Sequence, residues 1–178
     1  MLGVTNWYGS GIHFEFGNPH LEIHEPRTSS RKASRRVREA LARRLVVHGD
    51  WHLCIDVCDW EIFQKRKRIG TSRSRSDLER IVRSLNGQKL IRFLFRARGN
   101  DCLFEFDLSS LLITHRFESG PDYVQWTLFD PTHNVLILRA DNKYSHQRSD
   151  QPLDAGLWKP IFRRAKPRSL TIRIVSLA

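Results

Sequence analysis

Residues 48–58 read HGDWHLCIDVC, and this stretch decides the predicted fold class. Every second residue is apolar, a period that is typical of a strand with one buried face. The apolar members are Trp51, Leu53, Ile55 and Val57. Similar segments continue to residue 140 and are separated by turn sequences such as Asp130-Pro131-Thr132-His133. Short strands at this spacing indicate an antiparallel meander.

One helix is expected to pack on this sheet. Ser76-Asp77-Leu78-Glu79 is a capping-box sequence, and Asn86-Gly87 supplies a left-handed stop, which together bound a helix over residues 76–86. A basic amphipathic helix is predicted within residues 27–44, where an apolar residue recurs every four positions among arginines. The predicted fold class is therefore α+β: a mostly antiparallel β-sheet meander with one well-capped packing helix, plus a basic N-terminal helical arm.

The charge distribution suggests where the folded domain lies. The chain has 178 residues and a formal net charge of +11, of which residues 1–44 carry +4, residues 45–158 carry +1 and residues 159–178 carry +6. We therefore predict an N-terminal arm over residues 1–44, an antiparallel α+β domain over residues 45–158 and a basic C-terminal tail over residues 159–178. The middle segment is uneven, because residues 45–100 carry +6 and residues 101–158 carry −5.

The composition excludes several protein classes. With 40% hydrophobic and 10% aromatic residues, the chain is too apolar for a disordered protein. No segment approaches the ~18 apolar residues that a membrane span needs. Three cysteines without a pair at two-residue spacing do not predict a disulfide framework. We expect a cytoplasmic protein that makes no membrane contact.

The polar face of residues 48–58 contains a candidate metal site, formed by His48, Asp50, His52 and Cys54. On a regular strand these side chains share one face, about 6.5–7 Å apart at Cα. A pair of them can share a zinc ion if another strand supplies the remaining ligands. The alternative is a polar sheet face with incidental cysteines. We favour this alternative because one strand cannot supply the four ligands of a tetrahedral zinc site. We therefore predict no cofactor and keep zinc as the open alternative.

The other histidines are interpreted as turn and surface residues. They are His13, His20, His24, His115, His133 and His146, and the carboxylates near them form no pair whose spacing predicts convergence. A glycine-rich phosphate loop, a Gly-x-Ser-x-Gly elbow and a His-Glu-x-x-His helix are all absent from the sequence. The sequence therefore favours a non-enzymatic protein.

Basic residues form the candidate binding surface. The predicted partner- or phosphate-binding residues are Lys65, Arg66, Lys67, Arg68, Arg73, Arg75, Arg35, Arg36, Arg163 and Arg164. Such residues can neutralise the phosphates of a nucleic acid or attract an acidic protein partner. The alternative is solvated charge that keeps the protein soluble.

Four segments carry a resemblance to a known group of proteins: residues 87–90 (GQKL), 104–108 (FEFDL), 125–131 (QWTLFDP) and 138–141 (LRAD). They resemble small uncharacterised bacterial proteins whose layout is similar to that of the immunity proteins of polymorphic toxin systems. The resemblance covers residues 46–158. It implies a non-enzymatic bacterial interaction protein that occludes a protein partner, and we expect this function. Nucleic-acid binding by the basic arm, loop and tail is the alternative, and a zinc-dependent activity at the strand over residues 48–58 is the second alternative.

Overall fold

The computed structural model describes residues 1–6, 9–28, 30, 32, 34–74, 77–96, 101–116, 120, 122–152, 155–161 and 170–172. It is 53% strand and 8% helical. The strands are β1 (Gly3–Asn6), β2 (Ile12–Phe16), β3 (His20–His24), β4 (Arg44–His48), β5 (Trp51–Ile55), β6 (Cys58–Gln64), β7 (Lys67–Thr71), β8 (Leu90–Arg96), β9 (Asp101–Phe106), β10 (Ser110–Arg116), β11 (Val124–Phe129), β12 (Asn134–Arg139), β13 (Lys143–Arg148), β14 (Lys159–Pro160) and β15 (Leu170–Ile172). The helices are α1 (Arg35–Ala40) and α2 (Leu78–Arg83).

The strands form three antiparallel sheets. The seven-stranded sheet has the order β1-β2-β5-β11-β12-β13-β14, and the six-stranded sheet has the order β15-β8-β9-β10-β6-β7. Among the described strands, β3 and β4 pair only with each other, as a two-stranded hairpin. This hairpin is important for the candidate site described below.

The two larger sheets pack face to face around one apolar core. The ring centroids of Phe14 and Phe106 lie 6.0 Å apart, and those of Trp126 and Phe93 lie 5.5 Å apart. The indole N–H of Trp126 donates to the sulfur of Cys102 over 3.3 Å. Burial of these large rings, at about 25 cal/mol per Å² of apolar surface, holds the sheets together.

The prediction of an α+β fold is wrong, because the structure points to an all-β fold. The described residues show no helical N-terminal arm: β1 and β2 are strands of the seven-stranded sheet, and among the described residues of the arginine-rich stretch only Arg35–Ala40 is helical. The packing helix is also shorter than predicted. Helix α2 begins after Asp77, whose side chain makes no capping hydrogen bond, and Ser76 lies outside the described residues. Neither described helix is long and apolar enough to cross a membrane.

The helix α2 nevertheless contributes to the core. Ile81 and Val82 are buried against the sheets. Gly70 of β7 permits this contact, because a Cβ atom there would lie 2.3 Å from the Cδ1 atom of Ile81. The turn after the helix ends at Gly87, whose φ of 76° is the predicted left-handed stop.

The predicted strand over residues 48–58 is divided between two sheets. Trp51, Leu53 and Ile55 place their side chains on the core side of β5, as predicted, and Leu53 and Ile55 are fully buried. Asp56 and Val57 then carry the chain across to the six-stranded sheet, where β6 begins at Cys58. Cys58 therefore does not share a face with His52 and Cys54.

The basic stretch after β6 is a hairpin rather than the loop that its polar composition indicates. Strands β6 and β7 are joined by Lys65 and Arg66 alone, with φ values of 46° and 67°. A two-residue turn with two positive φ values is a type I′ turn, which favours Asn-Gly because other L-residues are strained in this conformation.

We expect the double substitution K65N/R66G to stabilise the protein. Relief of the strained turn should raise the free energy of unfolding by about 1 kcal/mol, or the melting temperature by about 2–4 °C. Thermal unfolding followed by circular dichroism measures this change. The K65Q/R66Q variant, which removes the same charges but keeps the strain, should show no such gain, and an equal gain in both variants would contradict the explanation.

Candidate metal centre

The pairing of β2 with β5 gathers metal-binding side chains on the outer face of the seven-stranded sheet. In this register His13 lies opposite Cys54, and Glu15 lies opposite His52. Directly opposed residues of antiparallel strands share a face. The alternate residues of β2 point to the core and are fully buried, so the polar residues must face outward.

The first group of donor atoms consists of His13, His52 and Cys54. Their ligand atoms all lie within 4.8 Å of one another. Each histidine also has a carboxylate beside it: the Nδ1 atom of His52 lies 2.5 Å from Glu15 Oε1, and the Nε2 atom of His13 lies 3.7 Å from Asp56 Oδ1. Histidine ligands of metals typically have such an outer carboxylate, which orients the ring.

Glu15 also connects this group to the β3–β4 hairpin. Its Oε1 atom lies 3.1 Å from the Nδ1 atom of His48, and its Oε2 atom accepts the backbone N–H of Gly49 over 3.0 Å. With three partners, the carboxylate is well satisfied even though its side chain is only 14% exposed. Glu15 therefore joins β2, β4 and β5.

A second group of donor atoms lies on the hairpin itself. Glu22 and His24 of β3 approach His48 of β4, and their ligand atoms lie within 4.8 Å of one another. The rings of His24 and His48 are stacked, with centroids 6.1 Å apart. This group shares no residue with the first, but a third group, formed by Glu15, His48 and His52, shares one residue with each.

Both groups border an open groove of about 710 Å³. The hairpin residues His20, Glu22 and His48 line one part of it, together with His52 and Cys54 of the first group. The turn after β11 completes the lining with Phe129, Asp130, Pro131 and His133. Four of the six donor residues of these two groups, Glu22, His48, His52 and Cys54, therefore line the groove.

The charges of the first group are strongly coupled. Burial acts to raise the pKa of the Cys54 thiol, but the hydrogen bonds and positive charges of His13 and His52 outweigh it and lower the pKa to about 7. Interaction with the Asp56 carboxylate, followed by that with Cys54, raises the pKa of His13 to about 9. Burial opposes the charge of His52, yet Cys54 and Glu15 raise its pKa to about 10.

The other two cysteines have the opposite character. Cys58 and Cys102 are buried in the core, and burial raises the pKa of both thiols, that of Cys102 to about 12. They are protonated thiols that pack as small apolar residues. Of the three cysteines, Cys54 is the one with the properties of a metal ligand.

Three of the four metal ligands predicted from the sequence lie in the cluster. His52 and Cys54 belong to the first group and His48 to the second. Asp50 belongs to neither, because its Oδ2 atom accepts hydrogen bonds from the backbone and the side-chain amide of Asn18.

The sequence did not identify four residues of the donor groups. The sequence interpretation places His13 and His24 among ordinary surface histidines and gives Glu15 and Glu22 no role, whereas the structure brings all four into the cluster. A signal was present, because residues 12–16 (IHFEF) and 20–24 (HLEIH) have the same two-residue alternation as residues 51–55.

The predicted basic residues differ in their surroundings within the described part of the chain. Several are paired with acids: Arg35 with Glu39 at 2.7 Å, Arg68 with Glu61 at 2.8 Å and Arg73 with Asp59 at 2.9 Å. Lys65, Arg66 and Lys67 are exposed at the β6–β7 turn. Arg36 belongs to α1, its side chain is not described, and Arg75, Arg163 and Arg164 lie outside the described residues.

Comparisons with known proteins supply no relative. No family model matches the chain, and no curated protein or solved structure shows significant similarity to it. The resemblance to immunity proteins therefore stays a prediction, and we infer function from the geometry of the site.

We expect Glu15→Gln to lower the pKa of His52 from about 10 toward the ordinary value of 6.5, because the neutral amide no longer stabilises the imidazolium. The loss of a buried charge-assisted hydrogen bond should also reduce the free energy of unfolding by about 1–3 kcal/mol. NMR titration of the His52 ring protons measures the first effect. Glu22→Gln is the matched control, and an equal pKa change in both variants would contradict this assignment.

The stability of the metal-free protein should fall between pH 7 and pH 9. In this range the folded protein keeps protons on His13 and His52 that the unfolded chain has released, and it has released the Cys54 proton that the unfolded chain keeps. The folded state thus binds about one proton more, so its stability decreases as pH rises. Urea unfolding in the presence of a chelator measures this, and a rise in stability over the same range would contradict it.

Proposed function

We propose that the protein is a zinc-binding protein whose ion is held by His13, His52 and Cys54. The observation that carries the proposal is the convergence of these three donors, each metal-binding in type, within 4.8 Å of one another on two paired strands. Two imidazoles and one thiolate are a donor set that suits Zn²⁺ and other borderline-soft divalent ions.

The surroundings of the three donors support a metal site rather than an incidental cluster. Glu15 and Asp56 are placed to orient the two histidine rings. The low pKa of Cys54 favours the thiolate form, which is the form that binds metals. On binding, zinc would displace the protons of His13 and His52 and would balance the negative charge of the Cys54 thiolate in their place.

The number of donors supports a catalytic type of site. Structural zinc sites have four protein ligands, whereas catalytic sites have three and leave a position for water. The first group provides three, and His52 and Cys54 border the open groove. A zinc-bound water here would supply a nucleophile near neutral pH for a hydrolytic reaction on a substrate in the groove.

Two other roles remain predictions. Occlusion of a protein partner and nucleic-acid binding both depend on exposed basic residues, and three of the proposed arginines already have acidic partners. Exposed ion pairs of this kind contribute little stability, so a partner can compete for them. Zinc binding is preferred because it rests on a convergent, partly buried set of donors.

Zinc titration of the metal-free protein against a chromophoric chelator tests the proposal. Cys54→Ser should lower the affinity of this site by more than about 100-fold, because it removes a ligand. Asp56→Asn should lower it by about 10–100-fold, because it removes an orienting carboxylate. With Co²⁺ as the probe, the wild-type protein should show a thiolate-to-cobalt charge-transfer band that Cys54→Ser lacks.

Asp50→Asn is the matched control, since Asp50 lies beside the cluster but is bonded to Asn18. This variant should bind zinc as the wild type does. The absence of the charge-transfer band in the wild type, or equal losses in the Asp50 and Asp56 variants, would refute the proposed site. Rapid alkylation of Cys54 that excess zinc does not slow would instead indicate a thiol nucleophile.

A further inference from the structure

We propose that the β3–β4 hairpin contains a second site for a divalent transition metal, formed by Glu22, His24 and His48. It shares no ligand with the site at His13, His52 and Cys54, so it goes beyond the proposed function and stands on its own observations.

The geometry of the hairpin brings the carboxylate of Glu22 between the imidazole rings of His24 and His48. The Nε2 atom of His48 lies 3.3 Å from Glu22 Oε2, and the Nε2 atom of His24 lies 3.5 Å from Glu22 Oε1. One ring approaches from β3 and the other from β4, so an ion at this point would connect the two strands. The negative charge of the carboxylate attracts a cation to this point, where the two imidazole nitrogens can also bind it.

The two Nε2 atoms themselves point to a missing ligand. Both are inaccessible to solvent, and neither has a hydrogen-bond partner among the residues that the structure describes. An imidazole nitrogen in this position bears the cost of leaving water, because its contact with Glu22 at 3.3 or 3.5 Å is an ion-pair contact without the geometry of a hydrogen bond. A metal ion bound to both nitrogens removes this cost.

Glu15 prepares His48 for this role. It holds the Nδ1 atom of His48 at 3.1 Å, which turns the Nε2 atom toward Glu22. The same carboxylate holds His52 of the first site. It therefore serves as an orienting carboxylate for one histidine of each site, a role that fits its position between them.

The donor set differs from that of the first site. Two histidines and one carboxylate, without sulfur, suit Zn²⁺, Co²⁺ and Fe²⁺. A cobalt ion bound here would produce no thiolate charge-transfer band, which allows the two sites to be observed separately.

The expected effect of the ion is to fix the hairpin as a wall of the groove. A hairpin of two strands is at best marginally stable on its own. The apolar residues on its other face add little to its stability, because more than half of the surface of each is exposed: Leu21, Ile23, Leu45 and Val47. An ion between β3 and β4 would supply the cross-strand link that packing does not provide.

Metal stoichiometry tests the proposal. The metal-free protein is equilibrated with excess Zn²⁺, desalted and analysed by atomic spectroscopy, with circular dichroism to confirm that each variant is folded. We expect two ions in the wild type and one in both His24→Gln and Glu22→Gln. His20→Gln is the matched control, because His20 lies on the same face of β3 but in neither donor group, and it should retain two ions.

Variants of the first site separate the two proposals. Cys54→Ser should retain one ion, and C54S/H24Q should retain none. If His24→Gln keeps every ion of the wild type, or if His20→Gln loses as much as His24→Gln, the second site is refuted. If Cys54→Ser keeps every ion while His24→Gln loses one, the second site is upheld and the zinc site of the proposed function is refuted.

Amide hydrogen exchange provides a readout of the hairpin itself. In Cys54→Ser, zinc at about ten times its dissociation constant should slow exchange in residues 20–24 and 44–48 by about tenfold. His24→Gln should abolish this protection. Unchanged exchange in Cys54→Ser would refute the role of the ion as a cross-strand link.

Discussion

The antiparallel pairing of β2 with β5 is the constraint on which the candidate metal centre depends. This register sets His13 opposite Cys54 and Glu15 opposite His52, while Phe14 and Leu53 face the core. Because side chains alternate along a strand, a shift of one residue would exchange the polar and apolar faces. The packing of the core therefore also fixes the positions of the candidate metal-binding side chains, because it sets the register of the two strands.

A single carboxylate then extends the arrangement beyond this strand pair. Glu15 contacts His48 and His52 and accepts the N–H of Gly49, so it joins the hairpin to the seven-stranded sheet. Gly49 is required there, because a Cβ atom would lie 2.1 Å from the carbonyl oxygen of Phe16. The hairpin is thus held to the sheet by polar contacts at the point where metal-binding groups are most concentrated.

Local patterns predicted the parts of the structure that depend on local sequence. The alternation over residues 51–55 correctly gives β5 and its buried face. It could not identify β2 as the neighbour, because strand pairing is decided by packing among distant segments. Likewise, Arg44 lies within the predicted basic helix yet belongs to β4, because pairing with β3 overrides helical propensity. The candidate ligand His13 and the neighbouring carboxylate Glu15 were missed for the same reason.

The alternation between the two faces of the hairpin also determines where the chain can accept insertions and deletions. On β3 the donors Glu22 and His24 alternate with exposed apolar residues, and on β4 the donor His48 follows the exposed Val47. An insertion or deletion of one residue within either strand would turn donors away from one another. The connection over residues 25–43, which contains α1, can vary in length without this effect. Sequence variation among variants of this chain should therefore concentrate between the strands, while the spacing within each strand stays fixed.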